Sequence, residues 1–269
     1  MGDFSSYLFL SSTSGKIEAK SPIRIGAGKA YGILTSDLPV VKNSKGIPII
    51  PGSSLKGFFR GQMEKILLMK VSEKKRVDKI LTEIFGGSNE NDNASAILFH
   101  EIQMVEGRLS ERKHIAINPE TGGVRYLFDV ECVLDGAVFA GKMFSTRNLH
   151  PRALALVKPV IDLANLGLGR IGGFKSRGYG EVEIKIENIS LIFPGKGLEE
   201  LSRGFEIRDL IPENFGSLSV KGSDSEILID GIKIKAEIVE NNSFFGIEAK
   251  IKGEEADKFL ASMLRKVNL

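Results

Sequence analysis

Apolar and polar positions alternate along some stretches of the chain and recur at helical spacing along others. Residues 7–25 (YLFLSSTSGKIEAKSPIRI) read as a strand, a small turn at Ser14-Gly15 and a second extended piece. Residues 26–32 read as loop. The stretch 33–52 carries Pro39, Pro48 and Pro51 with Gly46 and Gly52, which excludes a helix and predicts an extended, kinked connection. A helix is predicted from Ser53 to about Val71, with Ser53 or Ser54 as its N-cap and Leu55, Phe58, Phe59, Met63, Ile66 and Leu67 as its apolar face. A second helix covers 73–85, and a polar loop follows at 86–93. Residues 96–105 read as a strand and 107–123 as a long polar loop. Residues 124–133 and 137–143 read as a hairpin turning at Asp135-Gly136. Helical spacing returns at 151–165, with a bend or break expected at Pro159. Alternation returns at 182–193. After a Pro-Gly turn, strand-like pieces at 226–239 and 244–251 precede a short amphipathic helix at 254–266.

Between the helix at 151–165 and the strand at 182–193 lies Leu-Gly-Leu-Gly-Arg-Ile-Gly-Gly-Phe-Lys-Ser-Arg-Gly-Tyr-Gly, residues 166–180. Its glycines include Gly172 and Gly173, and its cations are Arg170, Lys175 and Arg177, with Ser176 between the last two. Glycine permits positive φ and close approach of the backbone to a ligand. Backbone N–H groups flanked by cations suit a chain of phosphates. Gly167-Leu-Gly169-Arg-Ile-Gly172 matches the letters of a dinucleotide-binding fingerprint, but that motif follows a strand and opens a helix. Here a helix precedes it and a strand follows, so a Rossmann site is rejected.

The chain has 269 residues, 42% of them hydrophobic and 26% charged, which fits a packed globular protein of one large domain or two small ones. No apolar run approaches a membrane span, and no secretory leader is read at the start. Cys132 is the single cysteine, so no intrachain disulfide forms and a cysteine-rich zinc site is excluded; a cytoplasmic protein is expected. His100, His114 and His150 are too widely separated for metal-ligand spacing. The net charge of +3 is uneven: residues 1–60 balance at +5, 158–180 at +3 and 181–269 at −5. The two basic segments make one polyanion-binding surface if the fold brings them together. The predicted helix at Ser53 has its own anion-binding character, with Ser53 and Ser54 at its start and Lys56 and Arg60 four residues apart on one side.

Ile-Pro-Gly-Ser-Ser-Leu-Lys-Gly-Phe-Phe-Arg (50–60) and Gly-Gly-Phe-Lys-Ser-Arg-Gly-Tyr-Gly (172–180), in this order, resemble the RAMP superfamily of CRISPR-associated proteins. The likeness is closest to the repeating backbone subunit of type III effector complexes. Asp37-Leu-Pro-Val-Val, followed by Ile-Pro-Ile-Ile-Pro-Gly, resembles the family's target-cleaving loop, and 114–122 resembles the approach to its thumb hairpin. The family loop often reads Gly-Gly-x-Gly-Ser-Arg-Gly, and here Phe174-Lys175 fills its middle.

The resemblance implies an α+β fold with a modified ferredoxin-like (RNA-recognition-motif-like) core. Residues 1–195 would form that core, with an inserted loop at 26–52 and a thumb at about 106–143, and 196–269 a C-terminal extension. It further implies guide and target RNA as partners, together with copies of the chain and other CRISPR effector subunits in a helical filament. Ser53, Ser54, Lys56, Arg60, Gly172, Gly173, Lys175, Ser176, Arg177, Lys42, Arg24 and His114 are the expected RNA contacts. Asp37 is the expected catalytic residue of a metal-dependent endoribonuclease, holding a divalent ion, Mg2+ by family analogy, with an RNA phosphate. No second carboxylate lies near Asp37 in sequence, the next being Glu64, and Lys42 is a candidate partner for it. Two alternatives stand beside this reading: a non-catalytic RNA-binding scaffold, and a guide-RNA processing nuclease that uses His114.

Overall fold

A computed structural model describes residues 6–28, 36–87 and 94–268. The expected loop at 29–32, the start of the proline-rich stretch at 33–35 and the part of the polar loop at 88–93 lie outside the described residues.

Strand β1 (Leu10–Ala19) alternates buried and less buried residues and runs through the middle of an antiparallel sheet. The turn expected at Ser14-Gly15 is instead a β-bulge, where the register against both neighbouring strands shifts. A Cβ at Gly15 would stand 2.2 Å from the Lys185 carbonyl oxygen, so only glycine allows the neighbouring strand to pair this closely.

After β2 (Ile49–Ile50) comes helix α1 (Gly52–Leu68), which buries Leu55, Phe58, Phe59, Met63 and Leu67. Its N-cap is Pro51, not Ser53 or Ser54, and no side chain caps it. The start is fixed by packing: a Cβ on Gly52 would meet the Phe99 carbonyl oxygen at 2.4 Å. Helix α2 (Lys74–Phe85) follows.

The strand expected over 96–105 divides at His100-Glu101 into β3 (Ile97–Phe99) and β4 (Ile102–Glu106). His100 satisfies its ring there through Nε2, 2.9 Å from the Ser145 hydroxyl. Phe59 packs on Phe99 and Phe144 with ring centroids 5.3 and 6.1 Å away, and Phe85 stacks on Phe99, which fastens both helices to the sheet.

The loop expected at 107–123 contains strand β5 (Leu109–Ile117), paired with β6 (Val124–Val133) as a separate two-stranded sheet. This pairing corrects the expected hairpin of 124–133 with 137–143. Asp135-Gly136 does turn the chain, but it delivers β7 (Val138–Arg147) into the main sheet between β1 and β4. The segment 151–165 is two helices, α3 (Pro151–Leu154) and α4 (Val157–Asn165). The break falls at Ala155-Leu156, and Pro159 sits in the first turn of α4, where its missing N–H is tolerated.

Strand β8 (Val182–Phe193) pairs with β1 on one side. Then come α5 (Leu198–Arg203) and a four-stranded antiparallel sheet in the order β12-β11-β10-β9. Its strands are β9 (Phe205–Ile207), β10 (Leu218–Ser223), β11 (Glu226–Ile229) and β12 (Ile232–Lys235). The chain returns through β13 (Glu237–Glu240) and β14 (Ile247–Lys252), and β14 pairs with the free side of β8. The main sheet therefore runs β13-β14-β8-β1-β7-β4-β2, with β3 also on β7. The division expected at residue 195 is thus no break in the sheet. Helix α6 (Glu254–Leu264) closes the fold over β8, β14 and β12.

His150, fully buried, joins α3 to the later part of the chain. Its Nδ1 accepts from the Arg152 N–H at 3.1 Å, its ring meets Phe215 edge-on, and its backbone N–H donates to the Ile211 carbonyl. Burial pulls its pKa from 6.5 to about 4; Asp230 opposes the shift and Arg152 adds to it. The unfolded chain takes up the proton at the ordinary value, and the folded chain only near the lowered one. The stability held by neutral His150 is therefore complete above pH 6.5 and is lost as pH falls from 6.5 to about 4. The expected loss is about 3 kcal/mol. Denaturant titrations across that window should show the slope, and His150→Asn, which keeps a cap acceptor, should flatten it.

Candidate functional site

The glycine loop is held by the chain that leaves β1. The Gly173 N–H donates to the Arg24 carbonyl at 2.7 Å and the Gly180 N–H to the Pro22 carbonyl at 2.8 Å. At Gly172, φ is +87° and a Cβ would lie 2.3 Å from the Arg24 carbonyl oxygen, so both the turn and the contact require glycine. The amides of Gly173, Arg177, Tyr179 and Gly180 are thereby spent on carbonyls of Arg24, Phe174 and Pro22. The expectation of a run of free N–H donors is corrected to this extent. What the loop presents outward is Lys175, Ser176 and Arg177, all exposed in a single 3-10 turn.

Facing the loop is one side of α1. Ser54, Gly57, Phe58, Gly61, Lys65 and Leu68 follow helical spacing along it, and with Arg24, Leu38, Gly172, Gly173 and Lys175 they line an open groove of about 970 Å³. Gly57 and Gly61 have open space where a side chain would stand. Glycine inside a helix costs about 1 kcal/mol relative to alanine. Two of them four residues apart on a groove wall leave bare backbone for a ligand to approach.

The structure thus brings Ser54, Arg24, Gly172, Gly173 and Lys175 together from three separated stretches. It does not bring Lys56 or Arg60 to this groove. Arg60 turns to the far end of α2, donating from Nη1 to the Gly86 carbonyl at 2.9 Å, and Lys56 is half-buried off the lining face. Ser53 is exposed in the first helical turn, also off that face. Gly61, Gln62 and Lys65 line the groove and were not singled out from sequence. The signal was present, since Gly61, Lys65 and Leu68 continue the spacing that begins at Ser54 and Gly57.

Asp37 is exposed beside the groove-lining Leu38. Its Oδ2 accepts from the Asp129 N–H at 3.0 Å, a bond that spans 92 residues of sequence. Lys42 pairs with Glu131, Nζ to Oε1 at 2.6 Å, and not with Asp37.

His114 lies on β5, not in a loop. Its Nε2 is 2.8 Å from the Tyr179 hydroxyl, and its ring stacks on Phe128 and Phe174. Burial first, then Arg177 and Arg112, lowers its pKa, so the imidazole is neutral at neutral pH. Phe174 carries Arg24 and Arg177 guanidinium groups at 5.2 and 5.0 Å from its ring centre. Burial also draws the Arg24 pKa below its ordinary value. This aromatic and cationic cluster ties the glycine loop to the two-stranded sheet.

No helix among the described residues is long and apolar enough to cross a membrane. The CRISPR system Cms endoribonuclease Csm3 of Streptococcus thermophilus is 40% identical over 80 residues, 29% of this chain and 36% of that protein. A chain in the structure of the Type III-B Cmr-beta complex bound to cognate target RNA superposes with a TM-score of 0.50 at 18% identity, covering 69% of this chain and 61% of that one. The chain therefore spans less than two thirds of either relative, and the second likeness is one of fold. The RAMP superfamily model matches residues 16–183, more than half of the length and including both motif segments, so the chain belongs to the RAMP superfamily.

Proposed function

We propose that this protein is a guide-RNA-binding backbone subunit of a type III CRISPR interference complex and that it cleaves the target RNA paired to its guide. One observation carries the reading. The glycine-bearing face of α1, Lys175 of the glycine loop, Arg24 and Leu38, the neighbour of Asp37, converge on a single open groove. Exposed backbone flanked by Lys65, Lys175 and Arg24 suits a sugar-phosphate chain, which is held without regard to sequence. Copies of the chain would stack head to tail along the guide with other effector subunits, a heterologous contact that does not close.

The core reads as a modified ferredoxin-like fold. The chain order β1, α1, β3/β4, β7, α4, β8 is strand-helix-strand-strand-helix-strand, and the sheet order β8-β1-β7-β4 supports it.

For cleavage, Asp37 would take the proton from a target 2′-hydroxyl. The freed oxygen attacks the adjacent phosphorus, the P–O5′ bond breaks, and O5′ leaves as an alcohol once it gains a proton. Oδ2 of Asp37 is held by the Asp129 amide, which leaves Oδ1 for this work. Among the described residues no group of three or more His, Cys, Asp or Glu side chains is arranged to hold a metal. A divalent ion would accordingly take Asp37 and RNA phosphate oxygens as ligands, which suits the water-rich coordination of Mg2+. Such an ion would stabilise charge on the phosphate. The processing alternative is disfavoured by His114, whose Nε2 is engaged by Tyr179.

Asp37→Ala should slow single-turnover cutting of the paired RNA about a hundredfold or more while guide affinity holds, and chelating divalent ions should stop cutting without releasing the guide. Wild-type cutting by Asp37→Ala would remove it from the chemistry. Replacing Lys65 and Lys175 with Ala should weaken binding to all RNA sequences alike and flatten the salt slope by roughly one for each phosphate that is no longer neutralised. Lys56→Ala should do neither, as salt titrations of binding can check. Gly61→Leu should pull two measurements apart: the helix gains up to about 1 kcal/mol in denaturation, and the filled groove binds RNA more weakly.

A further inference from the structure

The segment that carries Asp37 has little support of its own. It is anchored on β6, about 90 residues away, and the anchoring has a defined pattern. The Leu38 N–H donates to the Asp129 carbonyl at 3.2 Å, and the Glu131 N–H donates to the Leu38 carbonyl at 3.1 Å. These two bonds make a parallel bridge between Leu38 and Val130. The Ser36 hydroxyl adds a bond to the Asp129 carbonyl at 3.1 Å.

A parallel ladder would continue with the Val40 N–H donating to the Glu131 carbonyl. It does not, because the chain turns away after Pro39. Residues 39–41 join 25–27 instead, with the Ala27 N–H on the Pro39 carbonyl and the Val41 N–H on the Ile25 carbonyl. At this turning point the Glu131 side chain stands in for the missing carbonyl. Its Oε2 accepts from the Val40 N–H at 2.9 Å, and its Oε1 accepts from the Lys42 ammonium at 2.6 Å.

Glu131 is well placed to hold what it touches. Its side chain is only 13% exposed, and Val40 is 4% exposed. A carboxylate on a backbone N–H makes a short, strong hydrogen bond, and removing it leaves a buried donor without a partner. Asp37 lies three residues before Val40, between the Leu38 bridge and the Ser36 bond. Its own carboxylate is oriented by the same strand, through the Asp129 amide.

We propose that Glu131 is a positioning residue for target cleavage: by holding Val40 and Lys42 it fixes the 36–42 segment against β6 and so sets where the Asp37 carboxylate stands. This rests on the assignment of Asp37 to the cleavage step. Lys42, expected from the sequence to contact RNA, acts in the same clamp as the counter-ion of Glu131.

The test uses the full chain assembled with a guide and its partner subunits, and a labelled complementary RNA. Glu131→Ala and Glu131→Leu remove both acceptor oxygens, and the Leu variant keeps an apolar filling for the site if truncation costs the fold. Glu131→Gln keeps an acceptor for Val40 and loses the charge. The Ala and Leu variants should cut about tenfold to a hundredfold more slowly, the scale set by misplacing a reacting group by about an ångström. Guide affinity should stay within about twofold of wild type, and Glu131→Gln should recover most of the rate.

Two readouts separate positioning from a general structural role. The Val40 amide should exchange faster in Glu131→Ala and Glu131→Leu and not in Glu131→Gln. Glu131→Ala placed on Asp37→Ala should add no further loss, since it acts through that carboxylate. A Glu131→Ala or Glu131→Leu complex that cuts at the wild-type rate beside an inactive Asp37→Ala overturns the positioning role alone. A fully active Asp37→Ala overturns both assignments. Loss of guide affinity in parallel with rate also overturns it, by making Glu131 a support of the whole fold.

Discussion

The close approach of two backbones governs this molecule. The glycine loop touches the chain leaving β1 so tightly that a Cβ at Gly172 would lie 2.3 Å from the Arg24 carbonyl oxygen. At Gly180 a Cβ would lie 2.1 Å from the Ile171 carbonyl oxygen, again at positive φ. No side chain fits in such gaps. The contact has two results. It aims Arg24 into the groove, and it presents Lys175 opposite the glycine-bearing face of α1. Charge from two basic segments, remote in sequence, is combined in this way on one surface.

The elements that read clearly in the sequence are those whose pattern is decided by one buried face. The alternation of Val182, Ile184 and Ile186, and the spacing of Leu55, Phe59 and Met63, mark β8 and α1 because one side of each meets the core. The pairing of β5 with β6 was not legible for the same reason. Ile115, Ile117, Val124, Tyr126 and Leu127 are all exposed, so no hydrophobic period separates an inside from an outside there. Asp135-Gly136 is a true turn, but a turn dipeptide does not say that the strands on either side of it pair with each other. They enter different sheets.

The site was legible where motif residues touch one another through backbone, and illegible where a long side chain decides. Arg60 looks like a phosphate contact beside Lys56, yet its partner is a carbonyl 26 residues further on. Lys42 looks free, yet its counter-ion lies 89 residues away on β6. Lys and Arg reach several ångströms from their own backbone, so their roles depend on which element the fold places within that radius. Glu131 and the Asp129 amide could not be connected with Asp37 before the parallel bridge at Leu38 was known.

The cluster around Phe174 shows how a strained backbone position in the glycine loop is compensated. Phe174 holds φ at +55°, a conformation unfavourable for an aromatic residue. Several contacts offset that strain: guanidinium groups at 5.0 and 5.2 Å, His114 stacked nearly parallel at 5.4 Å, and Tyr179 tilted against the ring. With its ring enclosed by Phe128 and Phe174 and its Nε2 on the Tyr179 hydroxyl, His114 serves to bind β5 to the glycine loop. An imidazole hydrogen-bonded in this way has its Nε2 already engaged. The same two-stranded sheet holds both ends of the arrangement, gripping the glycine loop through His114 and the Asp37 segment through Glu131. A displacement of that sheet would be felt on both sides of the groove together.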